Sequence, residues 1–123
     1  MNQAVPAVRA EGLVKHYDGS DGDVEAVRGV DLEIQTGEIF GFLGPNGAGK
    51  STTVRMLTTL LTITSGRAEV VGADVAREPD EARRRIGVAL QEAGLDARQT
   101  GRELLVLQGR LFGMTSQAAE ARA

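Results

Sequence analysis

The stretch Gly44-Pro45-Asn46-Gly47-Ala48-Gly49-Lys50-Ser51 satisfies the spacing G-x-x-x-x-G-K-[ST] at every fixed position. Its glycines let the backbone curl until successive N–H groups point at one anion. A helix expected to start near Lys50 adds its positive dipole end to the same place. In this pattern Lys50 reaches the β- and γ-phosphates of a nucleotide, and the Ser51 hydroxyl completes a Mg²⁺ shell. Lysine is otherwise almost absent, since only Lys15 accompanies Lys50 against twelve arginines. Abundance alone therefore does not account for a lysine at position 50.

The flanking sequence supplies the context such a loop needs. Before it, Ile39–Gly44 ("IFGFLG") is a continuous apolar run, which reads as a strand buried on both faces. After it, "KSTTVRMLTTLL" reads as a helix with Val54, Leu57 and Leu61 on one apolar face. Upstream, residues 7–17 and 24–34 alternate as two strands, joined by the turn-rich "DGSDGD". That loop lacks the spacing of a calcium site and reads as a surface hairpin loop. A tight turn is expected at Thr36–Glu38. Downstream, residues 64–75 read as a turn and an edge strand or hairpin. Pro79 opens a short helix, and Ile86–Gln91 reads as a second buried strand. A helix capped by Thr100 carries Leu104, Leu107 and Leu111 on one side, and "TSQAAEARA" starts another.

Bulk properties exclude several classes. With 123 residues and 41% hydrophobic content the chain suits one domain with a real core. A net charge of −3 is too mild to argue for nucleic acid or an anionic membrane. Without cysteine there are no disulfides or thiolate metal sites. No apolar run approaches a membrane span and the N-terminus lacks a signal-peptide core, so the cytoplasm is the expected compartment.

The run "GPNGAGKST", with Tyr17 upstream and Gln91 downstream, resembles the ATP-binding subunits of ABC transporters. "GRELLVLQGRLFGM" and "LTTLLTITSGRAEVVGADV" are similar to the branch of drug-resistance exporters typified by daunorubicin-type efflux ATPases. The resemblance implies an α/β P-loop NTPase fold with an N-terminal antiparallel β subdomain. Residues 8–91 would form that subdomain with the P-loop core, and residues 92–123 the start of a helical subdomain. It implies that Tyr17 stacks on adenine and that Asn46, Gly47, Ala48, Gly49, Lys50, Ser51 and Thr52 hold the phosphates. Ser51 and Gln91, the latter as the Q-loop glutamine, would serve the Mg²⁺ and a water. Val27 either pads the sugar or base side or packs in its strand. The implied ligands are ATP and Mg²⁺. The implied partners are transmembrane permease subunits and a second ATP-binding subunit, with no nucleic acid. The implied location is cytoplasmic, at the inner face of the membrane through the permease.

Other parts of the family's machinery are not in this sequence. No apolar run ends in Asp-Glu, no LSGGQ occurs, and the single histidine, His16, precedes the loop and reads as a strand residue. The resemblance thus covers the N-terminal half of such a domain, truncated before the second acidic strand. Negligible hydrolysis by the chain alone, exposed apolar strand edges and poor solubility are expected. The alternative reading is a non-catalytic nucleotide-binding or partner-docking half-domain. A Ras-type GTPase is disfavoured by the missing N-K-x-D motif. A DNA-repair ATPase is disfavoured by the missing basic stripe.

Overall fold

A computed structural model describes residues 5–19, 22–89 and 96–123. The chain divides into two units, Met1–Val88 and Ala89–Ala123.

The first unit is built on strands β1 (Val8–Tyr17) and β2 (Val24–Ile34), which pair antiparallel from Val8 opposite Ile34 to Tyr17 opposite Val24. The turn at residues 36–37 follows, closed by the Glu38 N–H donating to the Gln35 carbonyl at 3.2 Å. Helix α1 covers Lys50–Leu57, and the hairpin of β3 (Ser65–Val70) and β4 (Ala73–Asp74) comes next. The four-stranded sheet has the order β2-β1-β3-β4, so of the residue 64–75 hairpin only β4 is an edge. Where β1 slips register, Gly12 (φ 55°) donates its N–H to Asp31 Oδ1 at 2.7 Å. Across the β1–β3 seam a Cβ at Gly66 would lie 2.2 Å from the Gly12 carbonyl oxygen, so only glycine fits this close approach.

Alternation, reset in β1 by the register shift between Ala10 and Leu13, selects the inner face of the sheet. Ala10, Leu13, Val27, Ala68 and Val70 are buried there against Met56 and Leu57 of α1. The face of α1 differs from the sequence expectation. Thr53, Met56 and Leu57 are buried, Val54 is 38% exposed, and the helix ends before Leu61. The sheet sets which i, i+3, i+4 stripe turns inward, and Leu61 packs on the core from beyond the helix. Helix α2 (Pro79–Arg85) starts at its proline as expected and buries Ala82. Its arginines bind neighbours: Arg83 Nε donates to Thr59 Oγ1 at 2.8 Å, and Arg85 donates to the Val71 carbonyl at 2.7 Å.

Two strand expectations fail. Residues 39–44 carry no strand, and Ile39 and Leu43 are 99% and 95% exposed. Residues 86–89 are likewise outside any ladder, and Leu90 and Gln91 lie outside the described residues. A buried parallel strand is defined by neighbours that supply its hydrogen bonds. Among the described residues no segment pairs with either run. Phe42 and Ile86 still pack partly on the core.

The second unit holds α3 (Gly101–Leu111) and α4 (Ser116–Arg122). Thr100 and Glu103 form a full capping box at the start of α3. The Thr115 side chain caps α4. Gly109 admits the helices to close contact, because a Cβ there would lie 3.2 Å from both Ala119 Cβ and Met114 Sδ. Among the described residues no helix is long and apolar enough to cross a membrane.

Candidate functional site

The loop Gly44–Gly49 leads into α1 with its glycines at positive φ, which L side chains rarely adopt. Gly49, the N-cap, has φ 80°, and a Cβ on it would lie 2.5 Å from the Ala26 carbonyl oxygen of β2. The loop therefore rests directly on the strand. Gly47 has φ 85° with open space around it. The Ala48 N–H donates to the Pro45 carbonyl at 3.2 Å, and the Thr53 N–H to the Gly49 carbonyl at 2.8 Å. No side chain caps α1, so the amides of its first turn, Lys50 to Thr52, have no acceptor within the helix. Lys50 Nζ curls back and donates to the carbonyls of Gly44 and Pro45, at 2.5 and 2.7 Å.

Tyr17 ends β1 beside this loop. The residue is 38% exposed, and the Lys15 ammonium lies 5.3 Å from the ring centroid. A pocket of about 650 Å³ is walled by Tyr17, by Asn46, Gly47 and Gly49 of the loop, and by Lys50, Ser51 and Thr52 of α1. Ala48 lines the adjoining recess with Gly47. The expected site residues thus meet in one place, except Gln91, which lies outside the described residues. Val27 is 3% exposed and packs in the core, and it also lines the recess with Gly47 and Ala48.

The far wall comes from β2, through Val24, Glu25, Ala26 and Arg28. Sequence reading assigned none of these four to the site. Tyr17 pairs with Val24 in the ladder, so the strand opposite an aromatic site residue was the available signal. Simple alternation does not recover it, because a register shift between Lys15 and His16 brings Glu25 and Arg28 to the same side. Arg28 Nε lies 3.3 Å from Glu25 Oε2, and His16 Nε2 lies 3.3 Å from Glu25 Oε1.

The ABC transporter family model matches residues 27–123. The chain belongs to the ABC transporter family. It is 50% identical over 121 residues to the daunorubicin/doxorubicin resistance ATP-binding protein DrrA of Streptomyces peucetius, covering 98% of this chain and 36% of that protein. It is 42% identical over 117 residues to the doxorubicin resistance ATP-binding protein DrrA of Mycobacterium tuberculosis, covering 95% of this chain and 35% of that one. The dimeric structure of a bacterial ABC transporter cassette superposes with a TM-score of 0.81 at 25% identity, over 94% of this chain and 53% of that one. The same cassette in a dimeric post-hydrolysis state bound to ADP and Pi gives 0.81 at 26%, with the same coverage. The chain spans about a third of the length of these curated relatives. Its fold is that of part of an ABC cassette, and its similarity to drug-resistance ATP-binding proteins runs through nearly all of its residues.

Proposed function

We propose that this chain is the nucleotide-gripping part of an ABC transporter's ATP-binding subunit. The carrying observation is the pocket that joins Tyr17 to the start of α1 across the glycine loop. Orphan amides, a positive helix end and the Lys50 ammonium suit a polyphosphate. An exposed aromatic edge beside them suits adenine. Asn46 to Thr52 would hold the phosphate chain and Tyr17 the base. Ser51, with Gln91 from beyond the described residues, would hold Mg²⁺. Bound there, the ion neutralises charge on the phosphate oxygens.

In the complete protein this grip would power export of a small hydrophobic molecule, in keeping with the names of the relatives. The subunit would work with transmembrane permease subunits and a second ATP-binding subunit, on the cytoplasmic face of the membrane. The chain by itself would bind without appreciable turnover. Glu25 is the one carboxylate lining the pocket among the described residues, and it is tied to Arg28 and His16. Among the described residues no other group lining the pocket is suited to activate water.

Equilibrium binding of Mg·ATP to the 123-residue chain and to Lys50→Ala tests this reading. The substitution should weaken binding by about tenfold or more, and turnover should stay at background in both proteins. Equal affinities would overturn the assignment of the loop. Robust turnover lost in Lys50→Ala would overturn the claim that the chain only binds.

A further inference from the structure

Arg28 stands at the mouth of the same pocket and has no place in the phosphate loop's own chemistry. It lines both the main pocket and the recess beside it, where Gly47 and Ala48 form the facing wall. Its Cα is fixed, because Arg28 pairs with Val14 in the β1–β2 ladder. Its side chain is not fixed, being 78% exposed. Among the described residues its guanidinium meets Glu25, at 3.3 Å. Glu25 does not depend on Arg28 alone, since His16 Nε2 lies 3.3 Å from its other oxygen.

We infer that Arg28 is a second cationic phosphate ligand of the nucleotide pocket, held by Glu25 until a polyphosphate takes it over. The inference rests on the nucleotide reading of the loop. Its basis is a contrast in strength. An exposed ion pair contributes little, because water and salt screen it. A phosphate chain offers several charged oxygens to a planar guanidinium, a geometry that favours arginine. The exchange leaves Glu25 beside His16. Glu25 is the wrong charge for a pocket that takes a polyanion, so its pairing with Arg28 competes with the ligand. The two residues form an electrostatic latch, with Arg28 recruiting the phosphates and Glu25 opposing them.

The test compares Mg·ATP and inorganic tripolyphosphate binding to the 123-residue chain and to Arg28→Gln, Glu25→Gln, the double variant and Lys50→Ala. Arg28→Gln should weaken both ligands alike, by about fivefold. Glu25→Gln should tighten both by about threefold, and by clearly less when Arg28 is already Gln, where only its direct repulsion of the phosphates remains to be relieved. Arg28→Lys, which keeps the charge, should recover part of the loss, and circular dichroism checks that every variant is folded. Arg28→Gln binding like the wild type, with Lys50→Ala impaired, would overturn the latch and leave the pocket reading standing. Loss of ATP but not tripolyphosphate in Arg28→Gln would also overturn it, by moving Arg28 to the sugar or base. Lys50→Ala binding like the wild type would defeat the underlying reading instead.

Discussion

Gly47 and Gly49 lie in one loop with nearly the same backbone conformation, φ 85° and 80°, yet a methyl group at each meets different surroundings. At Gly47 there is open space, so alanine costs only the left-handed backbone, about 1–2 kcal/mol. At Gly49 the methyl would sit 2.5 Å from the Ala26 carbonyl oxygen, a backbone atom of β2 with no rotamer to swing away. In urea unfolding Gly49→Ala should therefore destabilise the fold by about 3 kcal/mol or more, and Gly47→Ala by only the backbone cost of about 1–2 kcal/mol. Equal losses would mean that the loop does not rest on β2. Tyr17 allows a second test at this scale. If the ring carries the base, Tyr17→Ala should weaken ATP by about tenfold and tripolyphosphate by less than about twofold. A parallel loss of both would make the ring a structural neighbour of the phosphates. The loop was legible in the sequence because its conformation needs particular residues at particular spacings. Glu25 and Arg28 were not, because a register shift between two strands decides which way they face.

The elements that could be read were those whose causes are local. Pro79 with Asp80 and Glu81 ahead of three arginines marks α2, and the Thr100–Glu103 box marks α3. The runs at 39–44 and 86–89 misled because the same apolar pattern is a strand only beside a partner. Local causes also set the acid limit of the fold. Burial pushes the Asp74 carboxyl up, but N–H donors from Arg77 and Ala76 and the charges of Arg77 and Arg67 outweigh it, leaving the group below its ordinary value. Hydrogen bonds from the Arg85 side chain, and its charge, hold Glu81 down. The Thr100 N–H and hydroxyl do the same for Glu103. Each group binds its proton more weakly folded than unfolded. Each contribution is thus full above about pH 5 and fades as pH falls below about 4, through the lowered folded values. Melting temperatures from pH 7 to pH 3 should be flat and then fall. Asp74→Asn should lower the plateau, with a loss of about 1 kcal/mol, and make the acid decline shallower. An unchanged acid limb would show that Asp74 gains nothing from Ala76 and Arg77.

At the scale of the whole chain, what stands out is apolar surface beside an unladdered backbone. This chain covers 53% of the solved cassette it superposes on, and Ile39 and Leu43 project almost fully into solvent. Their neighbours Phe40 and Phe42 meet edge-on with centroids 5.3 Å apart, and Phe42 leans on the core, so the run has one anchored side and one bare side. An exposed apolar run that pairs with no strand among the described residues is a template for another strand. The chain should therefore associate in a concentration-dependent way, visible in sedimentation velocity at micromolar concentrations. Replacing both Ile39 and Leu43 by Asp should suppress that association. It should barely move the unfolding midpoint, by about 0.5 kcal/mol at most, because neither side chain is packed. The pairing of outcomes carries the weight. Lost association with retained stability makes the bare side of this run the surface that draws chains together. Lost stability would mean that the two side chains are buried in solution. Retained association would move the contact elsewhere, with the exposed Leu111 and Phe112 of the second unit as the next surface to charge.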